Sequence, residues 1–166
     1  MEQQEATNHL NVQKKATDAS EANRDFISRL KRRPPKDLDE RFHDVHDELM
    51  SAFDCLSCAN CCKTLSPAIH DRDVERLARF LKMKPSALTE KYLELDADGD
   101  YVFRETPCPF LLPDNYCSVY EARPKACREY PHTDRRKMVQ ILDLTYRNSF
   151  TCPVVFDVLA VLRKQK

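Results

Sequence analysis

The chain has 166 residues, 42% hydrophobic and 33% charged, with a mean hydropathy of −0.64. That suits one small domain whose apolar positions must be well placed to offset chain entropy. Lysine plus arginine equals aspartate plus glutamate at 27 each, so no global field favours nucleic acid or an anionic membrane. The one glycine, Gly99, excludes a P-loop, a dinucleotide fingerprint and a comparable glycine loop for S-adenosylmethionine.

In chain order, residues 1–22 are polar, lack the apolar core of a secretory signal and are too acidic for a transit peptide. They are expected to form a flexible polar tail or frayed helix, and the absence of an export signal leads us to expect a cytoplasmic protein. Residues 23–37 read as a short helix, with Phe26, Ile27 and Leu30 on one face, and a Pro34-Pro35 linker. Lys31, Arg32 and Arg33 sit where the helix dipole favours cations. Residues 38–166 then form the cysteine cluster domain.

A longer helix is expected from Leu38 to Leu56, where Leu38, Phe42, Val45, Leu49, Phe53 and Leu56 recur in steps of three and four. Its polar face carries His43 and His46, read as a solvated pair. Helices are expected at Asp71 to Met83 and Ser86 to Leu95, followed by a turn at 97–100 and a short strand at 101–103. Residues 106–131 are punctuated by proline and cysteine and read as loop with one helical turn. Two further helices, Arg136 to Tyr146 and Val154 to Lys164, close the chain. The longest apolar stretch, Val154 to Leu162, is broken by Asp157 and is under half the ~20 residues of a membrane span. The fold class is therefore mainly α: a small irregular helical domain with Pro/Cys-rich loops organised around a cysteine-ligated metal centre.

Eight cysteines, Cys55, Cys58, Cys61, Cys62, Cys108, Cys117, Cys127 and Cys152, all lie between positions 55 and 152. In a reducing compartment such clusters bind metal more often than they form disulfides. Two intervening residues let two sulfurs converge on one metal while backbone amides point at them, and the run from Cys55 repeats this spacing twice. Adjacent side chains diverge, so Cys62 suits bridging or a second site better than sharing one ion terminally with Cys61. Cys108-Pro109 and Cys152-Pro153 each stiffen the turn after a candidate ligand. Buried thiolates need cations, and Arg104, Arg123, Lys125 and Arg128 flank them. His132 and His70 are read as polar loop and helix-start side chains.

The cofactor is expected to be an iron–sulfur cluster or zinc. Three evenly spaced cysteines completed by a remote Cys-Pro favour a cluster, whereas a closed four-cysteine zinc site implies a structural role. The first reading implies a redox or electron-transfer function and a redox partner, with an iron–sulfur oxidoreductase as the enzyme class and no assigned catalytic residue. The second implies a zinc-stapled module recognising protein or, against the sparse charge of Arg135-Arg136-Lys137, RNA. No membrane partner is expected, and sequence leaves the oligomeric state open.

The run Cys55-x2-Cys58-x2-Cys61-Cys62 is followed by Cys108-Pro109-Phe110-Leu111, Cys117-Ser118-Val119-Tyr120, Arg123-Pro124, Cys127-Arg128-Glu129-Tyr130-Pro131 and Cys152-Pro153. With these motifs the chain resembles the YkgJ-type cysteine cluster proteins, the CxxCxxCC zinc- or iron-chelating family, over about residues 50 to 163. The resemblance implies a metal role for all eight cysteines. The family is similar to flagellin lysine N-methylases, so the resemblance implies a protein lysine N-methylase-related activity as a further alternative, but those members are longer and no separate substrate domain is expected in this chain.

Overall fold

The computed structural model describes residues 11–165. The chain divides into two compact units: one runs up to Cys58 and resumes at Pro131, and the other spans Ala59–Tyr130. Helix predominates in the described residues, with one small two-stranded sheet. None of these helices is long and apolar enough to cross a membrane.

The first unit is a helical assembly. Residues 11–18 are helical and lead through a turn at Ala19 into α1 (Ser20–Arg32). Then come α2 (Leu38–Ser51), the single turn α3 (Cys55–Cys58), a 3₁₀ turn (Met138–Ile141), α8 (Leu142–Asn148) and α9 (Pro153–Lys164). The labels between belong to the second unit. α9 packs on α1, α2 and α8, and α1 on α8. Phe42, Val155, Val158 and Leu159 are fully buried, which is the apolar burial that sustains such a bundle.

Of the stretch expected to be a tail, residues 1–10 lie outside the described residues, while 11–22 are helical apart from the turn at Ala19. Val12 is 4% exposed and Ala16 0%. The apolar stripe extends back from Phe26 through Asn23, Ala16 and Val12 at helical spacing. Small or polar members conceal it in the sequence.

α2 also differs from expectation, ending at Ser51 rather than at Leu56. Asp54 restarts the chain: its carboxylate accepts from Leu56 N–H at 2.9 Å, and its carbonyl accepts from Ser57 Oγ at 2.7 Å. An aspartate satisfying the amide two residues on competes with helix continuation. Leu56 is consequently 39% exposed.

His43 and His46 are not a solvated pair. His46 Nδ1 lies 2.7 Å from Oγ1 of the fully buried Thr133, and His43 Nε2 lies 2.9 Å from the Arg135 carbonyl. One turn earlier, Asp39 accepts from the N–H groups of Lys137 and Met138 at 2.6 and 2.8 Å. Residues 39, 43 and 46 share one face of α2 and hold the 133–138 segment along it. The helix expected from Arg136 begins as a 3₁₀ turn at Met138, because Lys137 is left-handed at φ 60°.

The second unit contains α4 (Asn60–Thr64), α5 (Asp71–Phe80), α6 (Pro85–Tyr92), β1 (Leu93–Leu95), β2 (Tyr101–Phe103), a 3₁₀ turn (Tyr120–Ala122) and α7 (Lys125–Glu129). The expected strand at 101–103 is present. Its partner, Leu93–Leu95, was expected to continue the preceding helix. β1 and β2 pair antiparallel with Leu93 opposite Phe103 and Leu95 opposite Tyr101. Asp96 Oδ1 accepts from the N–H groups of Asp98 and Asp100, and Gly99 adopts φ 85°, a conformation that glycine supplies without a Cβ clash. Leu77, Leu88, Leu93, Phe103, Phe110 and Val119 belong to one buried cluster, against which Cys108 and Cys117 pack.

Candidate metal centre

Five cysteines belong to the second unit: Cys61, Cys62, Cys108, Cys117 and Cys127. Backbone hydrogen bonds explain how three of their segments meet. Cys61 and Cys62 lie in the first turn of α4, where Lys63 N–H donates to the Ala59 carbonyl and Leu65 N–H to the Cys61 carbonyl. Cys108 N–H donates to the Cys62 carbonyl at 2.8 Å, tying the Pro/Cys-rich loop to α4. Leu111 and Cys117 pair as an antiparallel bridge, and Ser118 N–H donates to the Phe110 carbonyl at 2.9 Å. This small hairpin places Cys117 beside Cys108.

The position of Cys127 is fixed from α5. Asp73 is 2% exposed and accepts from Lys125 N–H at 3.0 Å, from His70 N–H at 3.1 Å and from the Arg76 guanidinium. Arg76 donates in turn to the carbonyls of Ala122 and Arg123. The carboxylate thus caps α7, which carries Cys127, while the guanidinium holds the strand entering it.

The thiols form one electrostatic group. Burial pushes the Cys127 thiol up to about 12, and negative charge on Cys62, Cys108 and Cys117 pushes the same way. Burial likewise takes Cys108 up to about 11, with Cys62 and Cys117 adding to it, and Cys117 is raised for the same first reason. Cys62 is the exception. Its hydrogen bond with Cys61, the sulfurs 4.0 Å apart, lowers it to about 7 against the opposing effect of burial, with help from Arg123 and Lys63. Adjacent cysteines on a helical turn therefore do approach each other here, although neighbouring side chains were expected to diverge.

Three more cysteines lie in the first unit. Cys55 and Cys58 bound α3, and Cys152 is the N-cap of α9, with Pro153 at the first helical position. Burial pushes the Cys152 thiol up to about 11. The amides of Val155 and Val154 at the α9 N-terminus pull it back, and Cys58 and Cys55 raise it further. The helix expected at Val154 to Lys164 thus begins where Cys152 is presented, as the sequence indicated. The Cys55-to-Cys62 run is divided between the units after Cys58.

Of the four cations expected near the sulfurs, Arg123 acts on Cys62, Cys117 and Cys127. Arg123 is itself held over the Tyr120 ring at 3.5 Å. Arg104 instead donates to the Leu93 carbonyl at 2.7 Å, the Lys125 ammonium lies 3.8 Å from Glu129, and Arg128 is exposed. Lys63 is the cation that sequence reasoning missed; its place directly after Cys62 was the available signal.

None of the eight cysteines is disulfide-bonded. Among the described residues, no three His, Cys, Asp or Glu side chains are already gathered into a metal-holding group. The thiols nevertheless share two neighbourhoods, and an all-sulfur donor set with adjacent cations suits zinc or iron rather than magnesium or calcium. The residues therefore fit such a centre by donor chemistry, with protons to be displaced from the raised thiols on binding.

A protein-family model, CxxCxxCC, described as a putative zinc- or iron-chelating domain, matches residues 54–152. Comparison with curated proteins and with solved structures gives no match.

Proposed function

Because the chain belongs to the CxxCxxCC family of zinc- or iron-chelating domains, matched over residues 54–152, we propose that it holds an iron–sulfur centre and serves in electron transfer. The observation that carries this reading is that the Cys108 N–H to Cys62 carbonyl hydrogen bond and the 111–117 hairpin gather Cys62, Cys108 and Cys117 in one unit with Cys127, whose thiol is raised by burial and by their charge. Four thiolates are the complement a cubane takes, one per iron. Cys55, Cys58 and Cys152 form a second group, presented by α3 and the start of α9. The remaining cysteine, Cys61, supports Cys62 as its hydrogen-bond partner.

In this reading the bound cluster supplies a one-electron couple. The chain's own contributions are distinct from it. Asp73 and Arg76 set the position of Cys127, the 111–117 hairpin sets that of Cys117, and Arg123 and Lys63 offset thiolate charge. The exposed rings of Tyr116 and Tyr120, 50% and 45% accessible, flank Cys117 and give a redox partner an apolar landing place.

Protein purified without oxygen should contain iron and acid-labile sulfide and absorb broadly in the visible blue. Zinc without sulfide would replace this reading with a structural zinc module. Cys62→Ser and Cys58→Ser, assayed separately, report on the two groups, since a hydroxyl is a poor substitute for thiolate on either metal.

A further inference from the structure

Within the first unit, residues of the 11–18 helical segment, the loop before α3, α3 itself and the first turn of α9 enclose an open cleft of about 200 Å³. We infer that this cleft binds a small zwitterion, a free α-amino acid with an apolar side chain, held between Lys15 and Asp157 with its side chain against Phe53 and Phe156.

The charges carry the argument. Lys15 and Asp157 both line the cleft, and the lysine's charge acts on the carboxylate. Yet among the described residues neither makes a hydrogen bond or contact ion pair through its charged group. Two opposite charges that share one opening without closing on each other leave a gap that a ligand bearing both complementary charges can span. A carboxylate would meet Lys15 and an ammonium Asp157.

The walls set the rest of the ligand. Phe53, Phe156 and Val12 contribute apolar surface, and Asn11 and Ser57 add polar groups beside the two charges, so the cleft offers both an apolar wall and groups that fix orientation. A cavity of ~150 Å³ accepts benzene. The cleft is therefore large enough for a ring or branched aliphatic side chain, with the charged end at the mouth. It is too small for a nucleotide. Cys58 also lines it, so an occupant would rest against the cysteine group of this unit. The inference does not rest on which metal, if any, that group holds.

The test uses the full chain as purified, titrated with L-phenylalanine, 2-phenylethylamine and 3-phenylpropionate and followed by ¹H–¹⁵N NMR. L-Phenylalanine should bind at least about tenfold more tightly than either single-charge analogue, a difference of about 1.4 kcal/mol. Lys15→Met should weaken L-phenylalanine and 3-phenylpropionate by about tenfold and leave 2-phenylethylamine unchanged. Asp157→Asn should do the reverse with the two analogues, and Lys15→Arg should retain binding. No response to L-phenylalanine at about 10 mM, equal affinity for all three probes, or binding indifferent to both substitutions would overturn the inference. Iron and zinc measured on the same samples keep the two readings separable: binding in protein without metal supports the cleft and counts only against the metal proposal.

Discussion

Asp73 shows how one side chain can govern a site that it does not enter. Burial works to raise its carboxyl, but the Arg76 guanidinium and the backbone N–H groups of His70 and Lys125 outweigh this and hold it below the ordinary carboxylate range. A carboxylate depressed in the folded state stabilises the fold above the unfolded pKa of ~3.9, and that contribution is lost as pH falls through the lower folded value. The melting temperature should therefore lose this contribution only below about pH 4. Asp73→Asn leaves Arg76 without its buried counter-charge and should cost about 3 kcal/mol at neutral pH, or roughly 6–12 °C in melting temperature. The gap between variant and wild type should narrow as the pH is lowered past 4. A gap constant with pH would mean that charge is not the cause. None of this was legible in the sequence, where Asp73 is one acid among several at the start of a helix. Its partners at 122–125 are about fifty residues away, and only the fold brings them together. The cysteines were legible because their spacing is local and their chemistry narrow, and Arg123 was found because it lies close to Cys117 and Cys127 along the chain.

At the level of elements, periodicity located the helices and missed the places where a side chain competes with the backbone. The α2 stripe continues through Phe53 and Leu56, but the Asp54 turn ends it. Leu93–Leu95 satisfies a helical pattern, but three residues suffice for a strand once Asp96 and Gly99 build the turn that returns the chain. The 133–138 segment illustrates long-range capping. Asp39, from the first turn of α2, satisfies the amides of Lys137 and Met138 and so acts as an N-cap for the 3₁₀ turn that follows. Asp39→Ala should cost about 1–2 kcal/mol and speed amide exchange at residues 137 and 138 while leaving α9 protected. Uniform acceleration across α2 and α9 would instead mark a general loss of packing. The histidines one and two turns on were read as solvated because their neighbours Asp44, Asp47 and Glu48 are charged. What decides their environment is the later segment lying on that face, which helical periodicity does not encode.

At the scale of the whole molecule, the chain forms two compact units that change over after Cys58 and again after Tyr130. The first boundary carries no glycine, proline or polar run, because it falls inside the cysteine run, whereas the second falls at Pro131, ahead of the polar stretch 132–137. The division gives metal removal an unequal effect. The first unit rests on helix packing among α1, α2, α8 and α9 and on buried Phe42, Val155, Val158 and Leu159, none of which requires a metal. In the second unit, α5, α6 and the β-hairpin share an apolar cluster. The stretch from Arg104 to Glu129 has little regular structure: Phe110, Val119 and Ala122 anchor it in that cluster, and its polar ties are the Cys108-to-Cys62 hydrogen bond, the 111–117 bridge and the Asp73–Arg76 clamp. A metal joining Cys62, Cys108, Cys117 and Cys127 would close one long loop, 62 to 108, and two short ones, 108 to 117 and 117 to 127, worth on the order of 4 kcal/mol for the first and ~2.6 kcal/mol for each of the others by the chain-entropy argument used for disulfides. Chelation should therefore expose Arg123, Lys125 and Arg128 to trypsin and speed amide exchange through 104–129. α2 and α9 should keep most of their protection, and far-ultraviolet dichroism should fall only in part. If α2 and α9 lose protection together with the 104–129 stretch, the two units fold as one and the metal supports both. If chelation removes the metal and changes neither cleavage nor exchange, the hydrogen bonds and the clamp suffice, and the centre would be a passenger on a fold that stands without it.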